Sequence, residues 1–436
     1  MSAGDFPTRE EIAAQQLEQL RSLVAELFPA NPFYTKKLQS LGVTFDIASL
    51  EDFSARFPFT TKQELVEDQK LNPSFGTNLT YPLERYTRFH HTSGTSGAPL
   101  RWLDTPESWD WMLESWTKIF FAAGVKAGDK VYFAFSFGPF IGFWLAFESA
   151  AKLGCLCLPG GGLGSASRVR DIVELGATVL CCTPTYALRL AEVAAQEKID
   201  LKKSRVKTII VAGEPGGSVP AIRSRIEKLW PGARVFDHHG MTEVGPVTHE
   251  CPAQPGVLHV IESAYCAEVV EPASGKPVRE GETGELVLTT LGRTGSPLLR
   301  YRTGDLVKRG KCGCGRHELA LEGGILGRTD DMIVVRGVNV YPNAVEEIIR
   351  SIGGIAEYQA LVKREKSLME LELQIEPEAN CGDAPGLAKK LEQALQRGFA
   401  LRIAVKTVAP GTLPRFEMKS KRWSRPPSPG SGAASG

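Results

Sequence analysis

Six short strings in this sequence carry residue types that hold phosphates, riboses or cations. The first is Thr92, Ser93, Gly94, Thr95, Ser96 and Gly97, followed by Ala98 and Pro99. Alternating glycines and hydroxyl residues let backbone N–H groups converge on an anion, with the hydroxyls as further donors. A plain Ser/Gly turn has the same composition. The string is not a P-loop, because no Gly-Lys-Ser/Thr follows it. The second string, Gly213, Glu214, Pro215, Gly216 and Gly217, directly follows an apolar run at 207–212. Glycine turns at the C-terminal ends of sheet strands are where α/β folds bind ligands. The third, His238, His239, Gly240, Met241, Thr242 and Glu243, follows an apolar run at 233–237. Its carboxylate can hold Mg²⁺ against ATP phosphates and its threonine can donate to a phosphate oxygen, although a Thr-Glu pair also starts ordinary helices. The fourth, Tyr301, Arg302, Thr303, Gly304 and Asp305, places in a tight turn an aspartate able to accept two ribose hydroxyls. Turn chemistry alone accounts for Gly-Asp equally well. The last two are the segment 327–342, with Arg328 and Asp330, and the basic cluster 414–422, with Lys419.

A separate set has metal-ligand chemistry. Cys312 and Cys314 form a Cys-x-Cys knuckle, with Cys251 and His259 upstream. Three thiolates and an imidazole make a closed, structural zinc site, and His249 and His317 are alternative donors. Zinc knuckles more often space their cysteines as Cys-x₂-Cys, and reduced cysteines in a β loop account for the same residues. The other five cysteines (155, 157, 181, 182 and 381) sit mostly in apolar runs and read as small core residues.

The elements that must position these strings follow from periodicity. Residues 9–28 have the spacing of an amphipathic helix, with Leu17, Leu20, Val24, Leu27 and Phe28 on one face. Apolar runs of strand length at 131–135, 178–182, 206–212 and 233–237 alternate with helical segments, which predicts an α/β fold with a sheet covered on both faces. Between 257 and 310 the pattern becomes mostly β, with strands over 268–270 and 285–290. After a boundary at 327–333 a compact α+β pattern follows: a helix over 343–352, strands over 357–363 and 368–375, a helix over 384–398 and a strand over 401–408. The Pro-, Ser- and Gly-rich stretch 424–436 predicts a disordered tail. The resulting division is a large domain over 1–327, with α/β layers and a β subdomain, a small α+β domain over 328–423, and the tail.

Bulk composition narrows the function. The chain has 436 residues, enough for two or three domains, and a net charge of +1 gives no electrostatic case for a nucleic-acid partner. Its longest apolar stretch, 131–147, is interrupted by Ser136, Gly138 and Pro139 and falls short of the ~20 residues of a membrane span. No signal peptide is visible at the start, and nine cysteines form no secreted framework, so the expected compartment is the cytoplasm.

The order and spacing of the strings resemble the adenylate-forming superfamily of acyl-CoA synthetases, luciferases and adenylation domains, with the phenylacetate–CoA ligase branch as the nearest likeness. The likeness rests on 92–99, 183–186, 213–215, 240–243, 301–305, 327–332, 337–342 and 414–419, and spans roughly residues 10–423. It implies that a carboxylate attacks the α-phosphate of ATP to give acyl-AMP, and that a thiol, typically CoA, then displaces AMP. It further implies that Thr92 to Gly97 cradle the β- and γ-phosphates, that Glu243 holds Mg²⁺ and Thr242 contacts the α-phosphate. Gly213, Glu214, Pro215, Gly240 and Met241 line the nucleotide, with His238 or His239 on the adenine edge. Asp305 takes the ribose with Arg328 nearby, Lys419 reaches the α-phosphate and substrate carboxylate, and Asp330 is the hinge about which the small domain rotates. The acyl pocket is expected near Phe137, Phe140, Tyr186 and Gly240, where aromatic surface suits a flat, aryl-type acid. Core packing accounts for those same aromatic residues. The phosphate loop departs from the family in one place: Ala98 stands where a lysine is usual, with Arg101 as a candidate replacement. Partners are thus an acid and CoA, with a homodimer consistent with the family. Two rival readings are transfer of the acyl group to an amine or carrier-protein thiol, and a catalytically silent relative that only binds ligand.

Overall fold

Side-chain oxygens cap several of the helices. The computed structural model describes residues 6–92, 99–336, 338–365, 368–378, 381–416 and 422–424. Thr8 and Glu11 close a capping box ahead of α1 (Arg9–Leu27). Asn31 and Ser49 cap α2 (Pro32–Ser40) and α3 (Leu50–Arg56), and Thr61 with Glu64 forms a second capping box on α4 (Lys62–Leu71). The buried faces of α1, α2 and α3 share one cluster with Cys266, Leu291 and Leu299.

A hairpin of β1 (Arg88–His91) and β2 (Arg101–Asp104) leads through the Thr105 cap into α5 (Pro106–Ala122). Strand and helix then alternate: β3 (Lys130–Phe133), α6 (Ile141–Lys152), β4 (Leu156–Pro159), α7 (Ser165–Glu174), β5 (Val179–Cys182), α8 (Pro184–Gln196), β6 (Thr208–Val211), α9 (Pro220–Leu229) and β7 (Arg234–Asp237). The five strands form a parallel sheet in the order β4-β3-β5-β6-β7. Alternate side chains enter opposite cores. Val131, Phe133, Val179 and Cys181 meet α5 and α6, whereas Tyr132, Leu180, Cys182 and Val211 meet α7, α8 and α9. That alternation explains the continuous apolar runs, since both faces are covered. The strand order reverses direction between β3 and β5, and the crevice outside such a switch point is the usual ligand site.

The chain next makes two short strands, β8 (Gly240–Met241) and β9 (Gly245–Pro246). It continues into β10 (Thr248–Glu250), β11 (Val257–Val260), β12 (Tyr265–Val270), β13 (Thr283–Thr290), β14 (Tyr301–Gly310) and β15 (Ala320–Arg328). These six form an antiparallel sheet in the order β10-β11-β15-β14-β13-β12. Its Leu258, Leu286, Leu288 and Val307 join the same core as α5 and α6. Thr242 and Glu243 therefore lie in a β turn rather than at a helix start.

After Arg328 comes a hairpin of β16 (Ile333–Val335) and β17 (Val338–Val340), then α10 (Pro342–Ile352), β18 (Ile355–Glu365), β19 (Leu368–Pro377), α11 (Ala384–Phe399), β20 (Ala404–Thr407) and β21 (Trp423–Ser424). Their sheet runs β20-β19-β18-β21, and its buried cluster draws on residues 333–423 alone. The last full strand is shorter than the 401–408 expected, because Leu401 and Ile403 turn into that cluster. The class is α/β for the large domain with a small α+β domain after it. Among the described residues no helix is long and apolar enough to cross a membrane.

Candidate active site

The C-terminal ends of the parallel strands release chain to one edge of the sheet: the loop 134–140 after β3, Thr183 and the first turn of α8 after β5, the loop 212–219 after β6, and 238–243 after β7. Hydrogen bonds tie these loops together. The Thr185 N–H donates to Glu214 Oε1 at 2.8 Å, and the His91 N–H donates to the Pro139 carbonyl at 2.9 Å. Thr92 closes the neck of the first string, its N–H on the Leu100 carbonyl at 3.0 Å and its hydroxyl accepting the Leu100 N–H at 3.0 Å. Ser93, Gly94, Thr95, Ser96, Gly97 and Ala98 lie outside the described residues, as do Gly337 and Lys419.

Two glycines are required by close approach. A Cβ on Gly240 would come 2.8 Å from the Gly245 carbonyl oxygen, and one on Gly217 would come 2.4 Å from the Asp237 carboxyl carbon. The second contact places Asp237 against the 212–219 loop, where Ser218 donates to its Oδ2 at 2.6 Å. Burial pushes the Asp237 carboxyl up to about 7. The folded protein thus keeps a proton there that the unfolded chain releases near pH 4. The stability this contributes is full below the unfolded value and is lost as pH rises through about 7. Asp237→Asn removes that loss. The variant's melting temperature relative to the parent is expected to be more favourable at pH 8 than at pH 5, and a difference independent of pH would sink the assignment.

Asp305 on β14 is the hub of the site. It is 3% exposed, Arg328 Nη1 donates to its Oδ1 at 2.9 Å, and His239 Nε2 lies 3.0 Å from its Oδ2. Burial raises the Asp305 carboxyl, but His239 and Arg328 together bring it below the ordinary aspartate value. Asp305 Oδ2 and His239 Nε2 are both buried without a well-aligned hydrogen-bond partner. Arg328 in turn holds Asp330 through Nε at 2.9 Å. The two histidines divide: His238 turns inward with its ring 4.4 Å from that of Trp116, and burial pushes it down to about 3, so it is neutral.

Glu243 is 5% exposed, with Lys62 Nζ 3.5 Å and the Tyr301 hydroxyl 3.5 Å from its Oε1. Its backbone is pinned from behind. Arg293 Nη1 donates to the carbonyls of Thr242 at 2.8 Å and Glu243 at 2.9 Å, while Nε and Nη2 form a two-point pair with Asp104 at 2.7 Å each. Lys62, Asp104, Asp237 and Arg293 were not singled out by sequence. Arg101, the candidate substitute for the missing loop lysine, instead donates to the Ser74 carbonyl at 2.8 Å.

The aromatic residues separate as well. Phe135, Phe137, Phe140, Phe143, Trp144 and Phe147 form a chain of ring contacts in and behind the β3–α6 loop. Tyr186 corrects the expectation of a ligand-facing ring. It is fully buried in the α7–α9 core, with its hydroxyl 2.7 Å from Arg168 Nη1. The Thr183 cap fixes the phase of α8, which turns Tyr186 inward.

On the edge of the β subdomain the structure brings Cys251, His259, Cys312 and Cys314 together, with ligand atoms all within 4.8 Å of one another. His249 stacks beside His259 but reaches Glu318, 3.6 Å away, and is not in the set.

A parallel sheet with glycine-rich loops at its C-terminal edge, an antiparallel β subdomain and a small C-terminal domain are the architecture of the adenylate-forming class. The family model of AMP-binding enzymes matches residues 77–292, and that of the AMP-binding enzyme C-terminal domain matches 337–424. The chain is similar to the phenylacetate–coenzyme A ligase of Thermus thermophilus, at 35% identity covering 84% of this chain and 82% of that one. It is also similar to a crystal structure of 2-hydroxyisobutyryl-CoA ligase in the postadenylation state with 2-HIB-AMP, at 29% identity and TM-score 0.91, covering 96% of this chain and 90% of that one. The same ligase with 2-HIB-AMP and CoA in the thioesterification state gives TM-score 0.71 at 29% identity, covering 97% and 94%. The chain belongs to the AMP-binding, adenylate-forming enzymes, in the phenylacetate–coenzyme A ligase branch.

Proposed function

We propose that this acid–CoA ligase activates a small, flat, aryl-type carboxylic acid. The enzyme is ATP-dependent and works through acyl-AMP. A carboxylate oxygen attacks the α-phosphorus and pyrophosphate leaves; the CoA sulfur then attacks the acyl carbon and AMP leaves. Charge in the first transition state spreads over phosphate oxygens, so catalysis is positioning and electrostatics. Asp305 would accept the ribose hydroxyls, and its Oδ2, which His239 Nε2 approaches at 3.0 Å without good hydrogen-bond alignment, fits that task. Gly213, Glu214 and Pro215 would line the adenine, and Thr242 and Glu243 would face the phosphates. Glu243 would be the protein ligand of Mg²⁺, which when bound neutralises phosphate charge. Lys419 is assigned to the α-phosphate and substrate carboxylate on the resemblance alone.

The observation that carries the substrate class is the loop at the strand-order switch point. From Phe135 to Phe147 it has no charged residue and six aromatic ones, which favours a neutral ring over a second charge. The test is acid-dependent pyrophosphate release with ATP and Mg²⁺ over aryl and aliphatic acids, with and without CoA. Aryl acids are expected to stimulate release and CoA to convert them to thioesters. Preference for short aliphatic acids would overturn the substrate class; acyl-AMP without thioester would point to an amine or carrier-protein acceptor.

We also read Cys251, His259, Cys312 and Cys314 as ligands of one structural zinc ion. Cys312 and Cys251 sulfurs are 3.5 Å apart, as are Cys314 Sγ and His259 Nε2. A tetrahedron with Zn–S arms of ~2.3 Å and Zn–N arms of ~2.0 Å has edges of about 3.5–3.8 Å. Such an ion would staple the end of β10 to the β14–β15 loop. Elemental analysis is expected to find one zinc per chain, and Cys314→Ser to lose it and lower the melting temperature by several degrees. Protein free of zinc, and unmoved in melting by added zinc, would refute this.

A further inference from the structure

Three arginines cross the seam between the large and small domains. Arg225 on α9 reaches out of the large domain. Its Nη2 pairs with Glu378 Oε1 at 2.7 Å, and its Nη1 donates to the Ile355 carbonyl at 3.2 Å. Glu378 follows β19, and Ile355 begins β18. Two small-domain arginines reach back to α8. Arg415 is fixed by a two-point pair with Glu376 at 2.5 and 3.1 Å, and its Nε lies 3.7 Å from Glu192 Oε2. Arg422 is fixed by Glu357 at 2.6 and 3.1 Å, and its Nη1 lies 3.4 Å from the Thr185 hydroxyl.

The strengths of these contacts are unequal in a useful way. Arg415 and Arg422 are each held firmly within the small domain and touch the large domain through one long contact. Among the described residues Arg225 makes the closest cross-domain ion pair, and both of its partners move with the small domain. A partly exposed ion pair contributes only modestly, so the seam can bias a pose without locking it. The seam also touches the chemistry, since Thr185 holds Glu214 of the 212–219 loop at 2.8 Å.

We propose that Arg225 is a positioning residue, a latch that with Arg415 and Arg422 holds the small domain in the adenylating pose and releases it for thioester formation. This rests on the acid–CoA ligase reading and on the chain sharing the postadenylation arrangement of its relative. The latch acts on only one half of the reaction. Losing it therefore changes the ratio of the two half-reactions, which a general loss of stability does not.

The test compares the parent with Arg225→Ala, with Arg225→Glu and with the charge swap Arg225→Glu/Glu378→Arg, after thermal melts establish folding. Adenylation is read as phenylacetate-dependent pyrophosphate–ATP exchange, and thioester formation as CoA-dependent consumption of synthetic phenylacetyl-AMP. Arg225→Ala is expected to lower exchange up to about fivefold relative to thioester formation, the effect of ~1 kcal/mol on a two-pose equilibrium. The swap is expected to restore most of that ratio. An unchanged ratio in Arg225→Ala, or a swap no better than Arg225→Glu alone, overturns the proposal. Small-angle scattering of the substrate-free protein needs no acid: the parent should fit this pose and Arg225→Ala a mixture of poses. Identical curves would overturn the latch even if phenylacetate were not accepted, whereas a parent inert toward every acid, with curves that differ, would count against the ligase reading alone.

Discussion

Asp305→Asn is expected to weaken ATP binding by about 10- to 100-fold, the effect of losing charge-assisted hydrogen bonds worth ~1.5–3 kcal/mol. The substitution preserves shape and leaves an acceptor for Arg328. What it removes is the negative charge between His239 and Arg328, together with the second acceptor oxygen, Oδ2, which the free protein leaves without an aligned partner. If ribose hydroxyls complete that oxygen, the variant and a ligand lacking both hydroxyls lose the same interaction. Parent protein should discriminate strongly between ATP and 2′,3′-dideoxy-ATP, and Asp305→Asn should hardly discriminate at all. Calorimetric titration of the four combinations closes the cycle. Undiminished discrimination in the variant would remove Asp305 from the ribose site and leave it a purely structural partner of Arg328.

The residues legible in the sequence are those whose signal is local. Glycine turns after apolar runs mark strand ends, so the 213–217 and 238–243 strings fall at the sheet edge with no knowledge of the fold. Cys-x-Cys spacing marks the knuckle, and only His259 and Cys251 come from elsewhere. Lys62, Asp104, Asp237 and Arg293 carry no such signal. A single charge between polar neighbours reads as solvated surface, and only the fold brings Lys62 to Glu243. Asp104 had one usable hint, a carboxylate ending the run Leu100 to Leu103 just before the Thr105 cap, but its partner lies 189 residues away. Tyr186 fails for the opposite reason. Its string opens α8, where which residue faces the sheet edge depends on helix phase, and the cap at Thr183 sets that phase so that Tyr186 turns into the core while the Thr185 N–H meets the neighbouring loop.

Asp104 is where the second large effect should appear. It and Arg293 are both fully buried, 0% exposed at each side chain, and the guanidinium uses its remaining donor on the carbonyls of Thr242 and Glu243 while lying 5.2 Å from the Trp102 ring centroid. Removing one member of a buried pair strands the other charge, at a cost of about 3–5 kcal/mol, whereas replacing both with apolar groups of similar size costs far less. Asp104→Ala should therefore lower the midpoint of urea unfolding sharply, and Asp104→Ala/Arg293→Met should recover much of the loss. Recovery of stability should not recover chemistry. The double variant still lacks the donor that fixes the backbone beneath Thr242 and Glu243, so its adenylation rate should stay depressed although its fold returns. A double variant as unstable as the single one would mean the pair is worth more than its mutual neutralisation. A double variant that is both stable and fully active would mean that the turn holds the Glu243 carboxylate in place without Arg293.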